Sequence, residues 1–410
     1  MAKIVYCWEL GADLGHISSF VPLAKQLIER GHEVTMILRE VQRARSVLGS
    51  LAIRVFSAPV WVFSPVVAPK PTGTYTDILF HFGYLDPAGL GGIVSAWREL
   101  YRLLSPDLIL ADHAPTALLA ARTAGVKALT YGSGFFAPPS RHPFPSMQDG
   151  PFAASTVQIM RSEAKALATV NAVLQLFSLK SFSSLAELFP EDRNLLLTYH
   201  ELDHYSGREG GAYYGVVANA AGTAVPEWPA GAGKKVFAYL KTSYPHFERV
   251  LASLASLGCS TVVFAGGIPE RDRIAHTSSK VQVSRQAVDI HWAMRECDLA
   301  VCHSGIGTIV PALLAGKPLL LLPMQGEQTL MAARVASLGA ALTVPMGSPP
   351  LPNFAEAIRR LLSDRQFTKA AEVFAQRHSS PSQSELVGSL ADRCEQELSA
   401  PAVEDAMERQ

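Results

Sequence analysis

The sequence predicts an α/β protein with two doubly wound parallel-sheet domains, and three observations support that prediction. The chain has 410 residues, enough for two or three domains of ordinary size. In both halves, short β-rich runs alternate with helical runs, which is the order of parallel βαβ units. Between the halves, residues 207–235 are rich in glycine, alanine and proline, as interdomain linkers are. We therefore expect an N-terminal domain over 1–212, a linker over 213–235, a second domain over 236–385, and a C-terminal helix and tail over 386–410.

The first forty residues show the alternation most clearly. KIVYCW is a β-rich run and GADLGH is a glycine-bearing loop. Apolar side chains then recur at helical spacing (Ile17, Phe20, Val21, Ala24, Leu27 and Ile28). Gly31 is expected to end this helix in the left-handed conformation, and EVTMIL is the next strand. Further strands are predicted over 53–56, 108–111 and 127–131, with a helix over 115–124.

Two stretches of the first half, residues 58–104 and 132–152, do not alternate in this way. The first is rich in aromatic residues (Trp61, Phe63, Tyr75, Phe80, Phe82, Tyr84 and Trp97), and the second combines five prolines with four phenylalanines. Long irregular segments are uncommon inside compact domains and often bind ligands. Ordinary loop packing is the equal alternative.

The second half resumes the alternation after residue 235. Its predicted strands are, in chain order, VFAYL, STVVFAGG, VQVS, LAVCH and PLLLLP. Helices are predicted over 246–257, from Asp289 and up to Ala315, and residues 353–397 are expected to be helical.

Composition excludes several classes of protein. Lysine plus arginine equals aspartate plus glutamate at 36 each, so no basic excess indicates a nucleic acid or an anionic membrane as partner. The five cysteines are scattered without a C-x-x-C pair, which favours small buried side chains in a reducing compartment. The N-terminus reaches Glu9 too soon for a signal peptide, and charged residues, glycines and prolines interrupt the most apolar stretch, 298–324. We expect a cytoplasmic protein without a membrane span.

The segment 302–328, CHSGIGTIVPALLAGKPLLLLPMQGEQ, has the features of a phosphate site. A strand ends at His303, and Ser304, Gly305 and Gly307 form a turn before a helix for which Thr308 is the expected N-cap. A glycine turn at a helix N-terminus offers unpaired backbone N–H groups and a partial positive charge, which suit a diphosphate. His303 is expected to donate a further hydrogen bond to a phosphate oxygen. An ordinary βα turn is the alternative.

Glu327 and Gln328 follow the predicted strand PLLLLP. Ligands of open α/β sheets bind at the carboxyl ends of the strands, and a carboxylate beside an amide offers acceptors and donors to a polyhydroxylated group. A solvated loop is the alternative for either residue alone.

These motifs resemble the nucleotide-sugar signature of GT-B glycosyltransferases of the inverting UDP-glycosyltransferase type, close to the bacterial macrolide-glycosyltransferase branch. The matching positions are His303, Gly305, Gly307, Thr308, the stretch from Ala312 to Pro318, Pro323, Glu327 and Gln328. Independently, GHISSFVPLAKQLIERGHEVT resembles the opening motif of the family without a gap. The resemblance covers both halves, and it implies two Rossmann-like domains facing across a cleft.

The resemblance implies that His16 is the general base of the reaction. An imidazole with an ordinary pKa of about 6.5 can take a proton from a hydroxyl at neutral pH. Asp112, at the end of the predicted strand LILA, is carried over as the carboxylate that holds its tautomer. His113 is the nearby rival, and we expect it to be a hydrogen-bonded neighbour.

The sequence departs from the family pattern at several positions. Ser19 stands where a proline is usual, and Glu327 replaces the usual aspartate. The plant branch has a tryptophan where the nucleotide base stacks; here Val283 and Gln286 are the candidates for contacting the base. Thr242 and Ser243 follow a strand where relatives place a hydroxyl near the diphosphate, although a helix N-cap is the equal alternative.

The sequence predicts catalysis without a metal or cofactor. It contains no D-x-D motif and no His, Cys and Asp cluster with metal-ligand spacing. The leaving diphosphate must then be neutralised by the helix dipole, by backbone amides and by His303.

The predicted function is therefore an inverting transfer of a sugar from an NDP-sugar, UDP- or dTDP-linked, to a small and fairly apolar acceptor. An NDP-sugar 2-epimerase is a second interpretation, but its G-T-R-P-E loop is absent. A non-catalytic sugar-nucleotide-binding protein is the third, and the presence of both His16 and Asp112 disfavours it.

Overall fold

The computed structural model describes residues 1–12, 15–62, 73–148, 153–217, 224–231, 233–347, 353–378 and 382–401. The chain divides into a first unit, Met1–Val217 with Ser382–Gln410, and a second unit, Ala218–Pro381. Parts of the predictions lie outside the described residues: part of the loop GADLGH, the aromatic residues Phe63 and Phe152, part of the predicted linker, and the end of the predicted tail.

The first unit is a seven-stranded parallel sheet covered by helices. Its strands are β1 (Lys3–Trp8), β2 (Glu33–Leu38), β3 (Arg54–Ser57), β4 (Leu108–Asp112), β5 (Ala128–Gly132), β6 (Asn194–Leu196) and β7 (Ala212–Tyr213). Its helices are α1 (Gly15–Glu29), α2 (Ala44–Leu48), α3 (Tyr75–Leu79), α4 (Pro87–Leu104), α5 (Pro115–Ala124) and α6 (Thr156–Leu176). The strand order is β3-β2-β1-β4-β5-β6-β7, so the order reverses between β1 and β4.

The second unit is a six-stranded parallel sheet of the same kind. Its strands are β8 (Lys235–Tyr239), β9 (Ser260–Phe264), β10 (Val281–Ser284), β11 (Leu299–Cys302), β12 (Leu319–Leu321) and β13 (Ala341–Thr343). Its helices are α7 (Phe247–Ser256), α8 (Glu270–His276), α9 (Ile290–Glu296), α10 (Ile306–Leu314), α11 (Gly326–Ser337), α12 (Phe354–Ser363) and α13 (Arg365–Arg377). The strand order is β10-β9-β8-β11-β12-β13, which reverses between β8 and β11. The predicted class of two doubly wound parallel sheets is confirmed.

The last helix of the chain, α14 (Gln383–Ser399), packs on the first unit. Leu390 and Cys394 are fully buried in the same apolar cluster as Phe20 and Leu27 of α1. Arg30, just after α1, adds ion pairs of 2.6 Å to Asp392 and 2.7 Å to Glu395. The end of the chain therefore helps to fix the helix that begins beside His16.

The predicted elements of the core are confirmed, and the irregular stretches hold more structure than the sequence indicated. Gly31 follows α1 with φ of 87°, as a left-handed helix end requires. All five cysteines are free and buried. The aromatic stretch 58–104 contains the long helix α4, which was not predicted because glycines at 89, 91 and 92 weaken its helical signal. In the described ranges, no helix is both long and apolar enough to cross a membrane.

Candidate active site

The first candidate site lies where the strand order of the first unit reverses. Strands β1 and β4 are direct neighbours, and Trp8 and Asp112 stand opposite each other at their carboxyl ends. His16 is the second residue of α1, the helix that follows β1. Two residues that are 96 positions apart in the chain are brought together because the ends of neighbouring parallel strands meet at one edge of the sheet.

His16 and Asp112 form a close pair. Nδ1 of His16 lies 3.0 Å from Oδ1 of Asp112, and their side chains are 11% and 3% exposed. The ring N–H is not well aligned, since Oδ1 has no hydrogen-bond partner of good geometry among the described residues. Catalytic contacts of this kind often tighten only when substrate binds. A proton on Nδ1 is stabilised by the carboxylate, which leaves the lone pair on Nε2.

The hydroxyl of Tyr6 contacts both His16 and Asp112. Its hydroxyl lies 2.6 Å from Oδ2 of Asp112 and 2.8 Å from the carbonyl oxygen of His16, so one proton is shared between two acceptors. Burial, and then the charge of Asp112, raise the pKa of Tyr6 well above its ordinary value, which keeps the phenol a donor. Sequence reasoning missed Tyr6, because its only signal is an inward position on an apolar strand.

Aromatic rings border the imidazole of His16. The Trp8 ring stacks on it at 4.9 Å between centroids, and the half-buried Phe136 ring lies 5.2 Å away at a tilt of 40°. Ser19, which replaces the proline usual in the family, donates a hydrogen bond of 3.1 Å to the carbonyl of His16. The surroundings of the imidazole are therefore largely aromatic.

Gly11 lies close to Nε2 of His16. Its φ of 85° favours glycine, and a Cβ at this position would lie 2.9 Å from Nε2. A larger residue at the first position of the loop GADLGH would therefore crowd Nε2 of His16, which glycine avoids.

His113 differs from its expected role. It is 6% exposed, has φ of 45°, and neither ring nitrogen has a hydrogen-bond partner among the described residues. The prediction of a hydrogen-bonded neighbour is therefore wrong; the ring is held by stacking on Phe136 at 4.4 Å instead. Burial, and then the proximity of His16, lower the pKa of His113 well below its ordinary value, so it stays neutral.

Glu9 fixes the start of the helix that follows Asp112. Its carboxylate is 1% exposed and accepts the backbone N–H groups of Thr116 at 2.9 Å and Ala117 at 3.4 Å, at the start of α5. Burial raises the pKa of Glu9 to about 7, although the hydrogen bonds from Thr116 and Ala117 lower it. A helix cap contributed by a different strand leaves no local sequence signal.

The second candidate site lies where the strand order of the second unit reverses, between β8 and β11. The turn after β11 leads into α10, whose N-cap is Gly305 and not Thr308, because Thr308 is already the third residue of the helix. Nothing lies within 4 Å of a Cβ placed on Gly305 or Gly307, so the chain at the start of α10 is not crowded at these two positions. The first N–H groups of a helix have no partner within the helix itself. Ser304 has φ of 61°, and its buried hydroxyl has no hydrogen-bond partner among the described residues.

His303 does not offer the donor that the sequence predicted. Its Nε2 accepts the backbone N–H of Lys241 at 2.9 Å, and its Nδ1 lies 2.8 Å from the carbonyl oxygen of Leu322. The second contact requires the proton on Nδ1, so both nitrogens are used within the unit. Burial lowers the pKa of His303, while the bond to Leu322 raises it, and the net shift is downward. His303 therefore links the segments that follow β8 and β12 to the turn after β11.

Glu327 and Gln328 lie in the first turn of α11 and not in a solvated loop. Gln328 is 8% exposed, and its Oε1 accepts the backbone N–H of Met324 at 2.8 Å. The Oε1 atom of Gln328 therefore stabilises the chain just before α11. Its NH2 group is the part that could bind a ligand. Glu327 is half-buried beside it.

The remaining predicted donor residues take different positions. Thr242 and Ser243 are exposed in the turn after β8; the N-cap alternative is wrong, because His246 is the residue before α7. Val283 is 1% exposed and belongs to the core, whereas Gln286 is exposed after β10. An open cavity adjoins both, with Pro226, Arg273 and Arg285 in its lining. In the parts of the chain that are described, no group of three or more His, Cys, Asp or Glu side chains could hold a metal ion.

Sequence comparison finds a family model that is similar to most of the second unit and to part of α14. Residues 248–392 match the model of the family described as "Erythromycin biosynthesis protein CIII-like, C-terminal domain". The chain is 25% identical over 370 residues to the L-demethylnoviosyl transferase of Streptomyces niveus, covering 86% of this chain and 88% of that protein. The chain is thus similar to glycosyltransferases of natural-product biosynthesis over most of its length. A further match, 29% identical over 68 residues to the UDP-sugar-dependent glycosyltransferase 52 of Dictyostelium discoideum, spans 17% of this chain and only 4% of that much longer protein.

Solved GT-B glycosyltransferases share the fold over nearly the whole chain. The spinosyn rhamnosyltransferase SpnG complexed with thymidine diphosphate has a TM-score of 0.64 at 18% identity, over 95% of this chain and 100% of that one. The glycosyltransferase VinC in complex with dTDP has a TM-score of 0.66 at 18% identity, over 96% of this chain and 100% of that one. At this identity, the likeness establishes the fold.

Proposed function

We propose that this GT-B glycosyltransferase moves a sugar from an NDP-sugar to a hydroxyl of a small, apolar acceptor with inversion at the anomeric carbon. The observation that carries the proposal is the pair formed by His16 and Asp112, with 3.0 Å between nitrogen and oxygen, at the point where the sheet order reverses. A base oriented by a buried carboxylate is suited to activating a neutral hydroxyl.

In the proposed reaction, Nε2 of His16 takes the proton of the acceptor hydroxyl. The acceptor oxygen forms a bond to the anomeric carbon, and the bond from that carbon to the diphosphate oxygen breaks, so the electron pair leaves on the nucleoside diphosphate. Asp112 stabilises the imidazolium, and Tyr6 keeps Asp112 in place. One displacement of this kind inverts the configuration of the sugar.

The donor is assigned to the second unit. The amides at the start of α10 and the hydroxyl of Ser304 bind the diphosphate, helped by the positive end of the helix dipole. Thr242 and Ser243, in the neighbouring turn after β8, can supply further hydroxyls. Glu327 and the NH2 group of Gln328 bind sugar hydroxyls, and Gln286 borders the base. Thymidine diphosphate in SpnG and dTDP in VinC favour a dTDP-linked donor.

The proposal is tested by incubating the protein with dTDP- and UDP-sugars and a panel of apolar hydroxylated acceptors, with mass-spectrometric detection of products. NMR coupling constants of the product then give the anomeric configuration. A retained configuration would overturn the displacement scheme. Conversion of the free sugar nucleotide without any acceptor product would instead support the epimerase interpretation.

We expect activity to persist in EDTA, because the helix dipole and backbone amides supply the charge stabilisation that a metal ion provides elsewhere. Turnover before and after exhaustive chelation is the measurement. Loss of activity on chelation, with recovery on adding Mg²⁺ or Mn²⁺, would contradict metal independence.

A further inference from the structure

Arg208 is a buried cation of the first unit. Its side chain is 0% exposed, and it forms ion pairs of 2.7 Å to Asp203 and 2.8 Å to Glu191. Tyr213 donates a further hydrogen bond of 2.8 Å to Asp203. Burial opposes the charge of Arg208, but the two carboxylates outweigh it and raise its pKa, so the guanidinium stays charged.

The same guanidinium binds one short loop at both ends. Its Nη2 donates to the carbonyl of Ala137 at 2.7 Å and to that of Gly134 at 3.3 Å. These two carbonyls flank Phe135 and Phe136. A planar group with several fixed donors can hold two carbonyls and two carboxylates together, whereas a lysine ammonium cannot match that geometry.

The loop carries Phe136 to the candidate base. The Phe136 ring lies 5.2 Å from the ring of His16 and also stacks on His113 at 4.4 Å. Phe136 is only half-buried, whereas Trp8, the other ring against His16, is fully buried. Of these two rings, Phe136 is therefore the one with surface left for a ligand next to His16.

We propose that Arg208 is a positioning residue that holds Phe136 beside His16, and that Phe136 thereby selects acceptors with a flat aromatic ring next to the reacting hydroxyl. The inference rests on the proposed glycosyl transfer and extends it to the acceptor class. An aromatic acceptor gains a ring contact with Phe136, while a saturated alcohol gains only apolar burial.

The test uses the full-length protein, dTDP-glucose, and two acceptors, 7-hydroxycoumarin and cyclohexylmethanol. Phe136→Leu keeps an apolar side chain without the ring. Arg208→Lys keeps the charge for Asp203 and Glu191 but releases the loop. The matched control is Tyr213→Phe, which weakens the same buried network without touching residues 134–137. Melting temperatures are recorded for each protein.

We expect Phe136→Leu and Arg208→Lys each to raise KM for 7-hydroxycoumarin by about fivefold to tenfold, the value of one aromatic contact. We expect smaller changes for cyclohexylmethanol and none in the Kd of dTDP. Because both substitutions act through the ring of Phe136, the double variant should have a KM for 7-hydroxycoumarin no higher than that of the poorer single variant. Tyr213→Phe should leave KM unchanged.

The inference is overturned if the two substitutions act additively, if both acceptors are affected equally, or if Arg208→Lys lowers only the melting temperature. A wild-type protein that glycosylates neither these acceptors nor the broader panel would instead overturn the proposed function. The two failures are thus distinguishable.

Discussion

The two units place their candidate sites at equivalent points of the same topology but build them from different groups. In the first unit, the reversal between β1 and β4 presents side chains: a His16–Asp112 pair held by Tyr6 and bordered by aromatic rings. In the second, the reversal between β8 and β11 presents the N-terminus of α10, with Gly305 as its N-cap. The fold therefore supplies the position, and local residues decide which chemistry each position can support.

The largest expected effect comes from removing the base. His16→Ala should lower turnover by about 10³-fold, within the usual range for a positioned general base, and leave the Kd of dTDP unchanged. Steady-state kinetics and calorimetric titration measure the two quantities. Near-wild-type turnover with an unactivated hydroxyl would remove the catalytic role from the first unit.

Asp112→Asn should lower turnover by about 10²-fold, since the imidazolium loses its counter-charge while the acceptor oxygen for Tyr6 is kept. The double variant His16→Ala/Asp112→Asn should be no slower than His16→Ala alone. Full additivity of the two losses would show that the residues do not act as a pair.

The sequence predicted the residues of the first pair but not what supports them. His16 and Asp112 follow strands of one sheet, and this placement is visible in the chain. Tyr6 and Glu9 act across 106 and 107 positions, on groups that only the folded sheet brings near. Arg208 likewise reaches the loop 134–137 from about seventy residues away. Such contacts leave no local pattern.

In the second unit, the sequence predicted the backbone better than the side chains. Two glycines after a strand indicate a site of close approach, and nothing lies within 4 Å of a Cβ at either position, although Gly307 belongs to α10 and not to the turn. The chemical role of His303 could not be predicted, because both nitrogens bind backbone groups that belong to other loops. Gln328 was predicted to follow its strand, but its bond to Met324 depends on how α11 begins.

Ser304→Ala tests the donor site with a smaller effect. Loss of a hydrogen bond to a charged diphosphate should weaken dTDP binding by about 10-fold. Thermal stability without ligand should not fall, because the hydroxyl is buried without a partner. Unchanged dTDP affinity, or a destabilised protein, would assign the hydroxyl a structural role.

The smallest expected effect concerns the sugar. Gln328→Glu keeps an oxygen for the N–H of Met324 but removes the NH2 group, so the affinity for the NDP-sugar should fall by about fivefold, while free NDP binds as before. Gln328→Ala serves as the comparison, since it also removes the cap. Equal weakening of both ligands by Gln328→Glu would exclude a sugar contact.

We propose that the first unit supplies the base and the second unit binds the donor. The most direct test measures the same two quantities on both His16→Ala and Ser304→Ala. The single-turnover rate at saturating donor and the Kd of dTDP are determined for both variants and for the wild type. The account predicts that His16→Ala changes only the rate, by about 10³-fold, and that Ser304→Ala changes only the Kd. A His16→Ala protein that loses dTDP affinity while keeping its saturated rate would contradict it.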